Sequence, residues 1–174
     1  MTYSANYKIA VFEGDGIGPE IMQPTLEVLD ALAAKLELDP FEYQVLPAGA
    51  QHYAETGEDL PEASVDAARK CDAILLSAMG LPNVRKPDGT ELTPQISIRI
   101  QLGLYAGVRP VRIIEGQPTP LNHHRVNEVD FVLVRESTEG LFAHMNEGQI
   151  VDDSYATETL RITRKTSEKL FDFS

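Results

Sequence analysis

Basic side chains are scarce in this chain: 15 Lys and Arg stand against 27 Asp and Glu, for a formal net charge of -12. A duplex binder needs a surface excess of Lys and Arg to displace counterions, so nucleic acid and anionic membrane are excluded as partners, and any anion must be captured locally. Cysteine is nearly absent. The single Cys71 can make no internal disulfide and opens the apolar run CDAILLSAMG, the usual setting of an inert, half-buried thiol. Long hydrophobic runs are missing as well, none approaching the roughly 20 residues of a membrane helix. The amino-terminal MTYSANYKIAVF lacks the basic and apolar regions of a secretory signal. The reducing cytoplasm is the expected compartment. There is no internal repeat and no low-complexity tract. What is present is 43% apolar content over 174 residues, enough for one ordinary domain with a real core or for one and a half domains of a larger enzyme.

Strand and helix signals alternate from the start. Tyr7 to Glu13 (YKIAVFE) is a short β-branched run that ends in the glycine turn GDGIGPE, Gly14 to Glu20. An amphipathic stretch follows, in which Ile21, Thr25, Val28, Leu29, Leu32 and Leu36 share one helical face. Pro19 falls in the first turn, where a missing N–H is harmless, whereas Pro24 removes a hydrogen bond inside the helix. Phe41 to Leu46 reads as a second strand, Pro61 to Lys70 as a helix opened by proline, and Ala73 to Ala78 as a buried third strand. That alternation implies a parallel sheet. Met79 to Glu91 is a Gly-, Pro- and charge-rich loop at the carboxyl end of the third strand, where open α/β sheets place their ligands.

The next stretch carries two opposed signals. Ile96, Ile98, Ile100, Leu102 and Leu104 alternate like a strand, while Thr93-Pro94 is a good helix N-cap followed by proline at N1. Val108 to Ile114 and Val129 to Val134 are further strand candidates, separated by the loop GQPTPLNHHRVNE. His123 and His124 in that loop read as exposed residues rather than ligands, because adjacent side chains rarely point at one metal. Past Gly140 the sequence is polar and turn-rich, and it ends inside an amphipathic helix, SEKLFDFS, whose Leu170, Phe171 and Phe173 lack visible partners. A helix cut before its cap implies a polypeptide that continues. Within this acidic chain, Arg99, Arg109 and Arg135 lie in QISIRIQLGLYAGVRPVR and VLVRESTEG, and three such guanidiniums point to a pocket for a substrate with several carboxylates.

KIAVFEGDGIGPEI, DAILLSAMG, SIRIQLGLYAGVRPVR and FVLVRESTEGLF, in this order and with these gaps, resemble the amino-terminal half of the β-decarboxylating dehydrogenases. That group includes the isopropylmalate, isocitrate, homoisocitrate and tartrate/D-malate enzymes. The resemblance implies an isopropylmalate dehydrogenase-like open α/β sheet flanked by helices. Its first domain would cover residues 1–103, and 104–174 would begin a second domain with a β-arm for homodimerisation over 141–160. It implies NAD or NADP and Mg2+ or Mn2+ as cofactors, and a hydroxy di- or tricarboxylate as substrate. By the same resemblance Arg99, Arg109 and Arg135 hold substrate carboxylates, and Thr93, Gln95 and Ile96 occupy the specificity positions near the cofactor. A polar Gln95 argues against a purely isopropyl pocket, and Ile96 against a fully polar one.

The glycine turn also invites a Rossmann reading. A dinucleotide fingerprint wants G-x-G-x-x-G, however, and this turn has Gly14, Gly16 and Gly18 followed by Pro19. The resemblance instead makes the turn the floor of a cleft near the nicotinamide. No metal ligand is assigned in this chain: Asp152 and Asp153 are adjacent, and neighbours in an extended stretch point oppositely. Phe142 stands where the family carries a tyrosine that assists protonation of the enolate. Tyr155 or water would then supply the proton; otherwise the chain belongs to a non-catalytic carboxylate-binding or regulatory subunit.

The chemistry itself sets requirements. Oxidation of a 2-hydroxy acid bearing a carboxylate at C3 gives a β-keto acid, and loss of carbon dioxide leaves an enolate. A divalent metal on the C2 oxygen supplies the electron sink. Guanidiniums hold carboxylates bidentately, which lysine as a point charge does poorly.

Overall fold

The computed structural model describes residues 6–141, 144 and 147–174. It divides into two compact units, Met1–Leu102 and Gly103–Ser174. In the first unit β1 (Lys8–Phe12) leads into α1 (Gly18–Lys35), β2 (Glu42–Val45) into α2 (Ala50–Thr56) and α3 (Glu62–Ala68), and β3 (Ala73–Leu76) into a long loop and α4 (Pro94–Leu102). The helical crossovers make the three strands parallel, in the order β2-β1-β3. β1 is central, and its unbroken apolar run has a partner on each face. Ile9 and Val11 pack with Met22 of α1 and with Leu26, Phe41 and Leu75. Ala10 and Phe12 pack with Leu46, Ala68 and Ile98 on the opposite side. This is the mixed α/β architecture with a parallel sheet that the sequence implies.

Three details differ from the sequence reading. The expected apolar face of α1 is the wrong one: Ile21, Val28, Leu32 and Leu36 are exposed, and the stripe on the sheet is Met22, Leu26, Leu29 and Ala33. The helix carries two overlapping apolar stripes that share Leu29, and periodicity alone does not say which one meets the strands. Ala73 to Ala78, read as a buried strand, is a strand only from Ala73 to Leu76, and among the described residues it lies at the edge of the sheet with Leu76 37% exposed. Finally, α2 was unexpected, because its seven residues, AQHYAET, hold no apolar repeat. The helix read at Pro61 is present, with Pro61 as its N-cap. Pro24 lies inside an unbroken α1 and is exposed, so the hydrogen bond it removes does not end the helix.

The conflict over residues 93–104 resolves as helix α4. Proline's fixed φ starts it, and the Thr93 carbonyl accepts the N–H groups of Ile96 and Ser97. Strand-like alternation does not describe the burial, since Ile98 is 2% exposed and Ile100 41%.

In the second unit β4 (Ala106–Arg112) pairs antiparallel with β5 (Asp130–Glu136) over seven residues, from Ala106↔Glu136 to Arg112↔Asp130. Between them lies a single 3-10 turn, Val126–Glu128. β6 (Gln149–Val151) and β7 (Tyr155–Thr157) form a separate hairpin. Asp152 and Asp153 occupy its turn, both with positive φ (48° and 53°), so they are not in the extended stretch the sequence suggested. α5 (Arg164–Phe173) closes the unit, and Phe173 finds a partner in Tyr105, ring edge to ring face at 6.3 Å. Cys71 is half-buried, its Sγ 3.4 Å from the Ala67 carbonyl. Among the described residues no helix is long and apolar enough to cross a membrane.

Candidate functional site

The glycine turn lies at the carboxyl end of β1, and its glycines answer to packing within the protein. Gly14 has φ 77°, and a Cβ there would stand 1.9 Å from the Ala78 carbonyl oxygen. A Cβ on Gly18 would stand 2.4 Å from the carbonyl oxygen of Glu13. Two of the three glycines are therefore demanded by a turn pressed against its own start and against the backbone just after β3, not by the approach of a diphosphate. The Rossmann reading loses its main support. Gly16 differs: a Cβ there would meet only Leu81 Cδ2, at 3.7 Å, and the neighbouring Ile17 is exposed.

Asp15, inside the same turn, was not singled out by the sequence reading. It is 3% exposed, and its carboxylate accepts three backbone N–H groups from two other segments. The only sequence signal available was its place between two glycines, which promises an unusual backbone but not a burial.

The loop after β3 contains the short bridge Arg85↔Glu91, tightened by Asp88, whose carboxylate accepts the Thr90 N–H at 2.9 Å. That hydrogen bond holds the Asp88 carboxyl below its usual range. The loop delivers the chain to α4, whose turn spacing brings Gln95, Ile96 and Arg99 to one side of the helix while Pro94 and Ile98 are buried on the other. Thr93, Gln95, Ile96 and Arg99 are half-buried. The Gln95 Oε1 is closed off from solvent without a hydrogen-bond partner among the described residues. A buried acceptor left unmatched costs about 1–3 kcal/mol.

In the second unit the register decides what the arginines can do. Arg109 stands opposite Leu133, and Arg135 opposite Gly107, so both arginines belong to the same face of the β4–β5 ribbon, diagonally across one pair. Diagonal neighbours on a ribbon are about 7–8 Å apart at Cα, within mutual reach of one small dianion. A Cβ on Gly107 would stand 3.0 Å from Ser137 Oγ and 3.2 Å from the Arg135 carbonyl oxygen, so glycine there answers to close packing at the end of β5.

The segment that follows Arg135 is self-clamped. The Glu136 carboxylate accepts the N–H and hydroxyl of Thr138, each at 2.6 Å, and the Glu139 N–H at 2.9 Å. Glu139 in turn accepts the Thr163 N–H (2.7 Å), the Thr163 hydroxyl (2.6 Å) and the Thr166 hydroxyl (2.7 Å), which fixes the start of α5. The Thr163 hydrogen bonds hold the Glu139 carboxyl below its usual range. Gly140, with φ 71°, then turns the chain toward Leu141 while its N–H donates to the Arg161 carbonyl at 2.9 Å.

Of the other candidate residues, His123 and His124 are exposed, their rings 4.2 Å apart. Tyr155 is exposed on β7. Phe142 lies outside the described residues.

These features define an open α/β protein whose second unit presents Arg109 and Arg135 on one face of a two-stranded ribbon. Comparison with known proteins places it further. A family model described as isocitrate/isopropylmalate dehydrogenase matches residues 8–174, and the chain belongs to that family. Among its relatives, the 3-isopropylmalate dehydrogenase of Streptococcus thermophilus is 40% identical over 168 residues, covering 91% of this chain and 48% of the relative. That of Thermobifida fusca is 43% identical over 141 residues, or 79% of this chain and 38% of the relative. The crystal structure of isocitrate dehydrogenase from Methylococcus capsulatus superimposes with a TM-score of 0.72 at 30% identity, over 96% of this chain and 46% of that one. The TT0538 protein from Thermus thermophilus gives 0.76 at 32% identity, over 95% and 31%. The chain thus spans about half the length of the curated relatives it matches.

Proposed function

We propose that this chain supplies the carboxylate-binding arginines and the glycine turn of an NAD- or NADP-dependent enzyme that oxidatively decarboxylates a 2-hydroxy dicarboxylic acid. The substrate class is that of 3-isopropylmalate, tartrate/D-malate or isocitrate. The observation that carries the reading is the β4–β5 register, which gives Arg109 and Arg135 one face within a chain that belongs to a dehydrogenase family. Guanidiniums so arranged grip a carboxylate bidentately and hold the C–C bond that will break out of the plane of the forming enolate. Arg99, on the side of α4 that also carries Gln95 and Ile96, is assigned to a further carboxylate, and Thr93, Gln95 and Ile96 to the substituent at C3.

The glycine turn fits a nicotinamide. Exposed Ile17 next to the open backbone at Gly16 offers an apolar surface on which a flat ring can lie. NAD or NADP, when bound, supplies the hydride acceptor. The expected Mg2+ or Mn2+ finds no site among the described residues, where no three His, Cys, Asp or Glu side chains converge. The chain's own part is carboxylate binding and orientation. The β6–β7 hairpin, with Ile150 79% exposed, supports a homodimer arm over 141–160, and the near-absence of cysteine supports the cytoplasm.

The test is a panel of 3-isopropylmalate, D-malate, tartrate and isocitrate with NAD+ or NADP+ and Mg2+ or Mn2+, read by nicotinamide reduction. Turnover of one acid is the expected result. A hydroxy acid that raises the melting temperature without any reduction would instead identify a carboxylate-binding or regulatory subunit. Phe142, which has no hydroxyl to offer an enolate, favours that second reading.

A further inference from the structure

We infer that Asp15 is a positioning residue for the loops at the carboxyl ends of β1, β2 and β3, holding the glycine turn, the start of α2 and the chain after β3 in one fixed arrangement. The inference rests on the reading above, in which this end of the sheet meets the nicotinamide.

Its Oδ2 accepts the N–H of Ala50 and the N–H of Gly80, both at 2.7 Å, and its Oδ1 accepts the N–H of Gln51 at 2.8 Å. Its own N–H donates to the Ala78 carbonyl at 2.8 Å. α2 begins after Gly49, which has no side chain to cap it, so a carboxylate 35 residues earlier in the chain does that work. The same oxygen that caps α2 fixes Gly80, the first part of the loop that runs to Thr93 and α4. A carboxylate removed from water is tolerated only when its oxygens are matched by donors, and here three backbone donors converge on it.

The fit is specific to aspartate. Asparagine would turn an NH2 group toward backbone donors. A Cβ on Gly49 would lie 2.5 Å from Asp15 Oδ2, so glycine at 49 lets the carboxylate approach the start of α2 this closely. Aspartate therefore couples two loops that bear on the cleft to a turn that forms its floor.

The test uses the full chain and reads amide hydrogen exchange residue by residue. In Asp15→Asn, the amides of Ala50, Gln51 and Gly80 are expected to exchange about tenfold faster or more, the loss anticipated for hydrogen bonds to a charged group. The β1–β2 ladder amides should change by no more than about twofold. Gly49→Ala, which keeps the carboxylate but crowds it, should release the same three amides. Unchanged exchange at those amides, or an equal rise across the ladder, overturns the inference.

Where the parent protein turns over a hydroxy acid, Asp15→Asn should raise the KM for the nicotinamide about tenfold while kcat at saturation falls by less. Unchanged KM with released amides overturns the positioning role. A parent without turnover refutes the dehydrogenase reading, and the exchange measurement still decides whether Asp15 ties the loops.

Discussion

Gly14→Ala offers a direct measure of how the glycine turn is held. Two costs add at this position. An alanine at φ 77° adopts the left-handed region, which costs about 1–2 kcal/mol for a residue with a Cβ. Its Cβ would also fall 1.9 Å from the Ala78 carbonyl oxygen, a backbone atom that cannot swing away as a side chain could. Relief requires the backbone just after β3 to move, at an overpacking cost of about 1–3 kcal/mol. The total is about 2–5 kcal/mol. Gly57→Ala is the matched control: its φ is 84°, and a Cβ there meets nothing within 4 Å, so only the dihedral cost of about 1–2 kcal/mol applies. Urea unfolding followed by circular dichroism, with both variants extrapolated to water, gives the difference. Equal destabilisation by the two variants would refute the argument that contact with Ala78 is what demands glycine at position 14.

Three further predictions follow from the same structure. Met22→Ala, at a site 3% exposed, should cost about 2–5 kcal/mol in urea unfolding, while Leu32→Ala, 47% exposed, should cost under about 1 kcal/mol; the reverse order would restore the other face of α1 as the packed one. Arg109→Lys keeps the charge and loses the bidentate grip, so kcat/KM of an active enzyme should fall about ten- to a hundredfold with little change in cofactor binding, and unchanged kinetics would remove the clamp assignment. Glu139 has a folded-state pKa depressed chiefly by Thr163, so its contribution to stability is present above the unfolded value of about 4.3 and lost as pH falls through the lower folded one. Amides at the start of α5 should therefore gain exchange in that acid window in the parent and show no such pH step in Glu139→Gln.

Much of the first unit was legible because its elements carry redundant signals. β1 is a β-branched run with a glycine turn behind it, and α4 has a proline at its first position. α1 was legible as a helix but not as to its buried face: Met22 and Ala33 stand beside larger apolar residues that lie on the open side. Helical periodicity finds a stripe, whereas burial depends on which stripe the strands approach. α2 escaped for the opposite reason, since seven residues without an apolar repeat carry no periodic signal, and what stabilises their start is Asp15, far away in the chain. A carboxylate that caps a remote helix leaves no local pattern to read.

The arginines show the same division between residue type and geometry. Carboxylate binding was proposed for them from the segments that carry them, SIRIQLGLYAGVRPVR and FVLVRESTEGLF, in a chain of net charge -12. Whether Arg109 and Arg135 face one ligand was not legible there, since they sit on different strands and the answer turns on register. A slip of one residue in the β4–β5 pairing would send Arg135, together with Leu133, to the far side of the ribbon and leave Arg109 alone on its face. Seven consecutive pairs and the closed loop from Glu136 to Glu139 prevent that slip. The RESTEG segment is therefore more than the carrier of one arginine: its first glutamate closes the turn that ends β5, its second anchors the start of α5, and both fix the register in which Arg135 can meet a carboxylate beside Arg109.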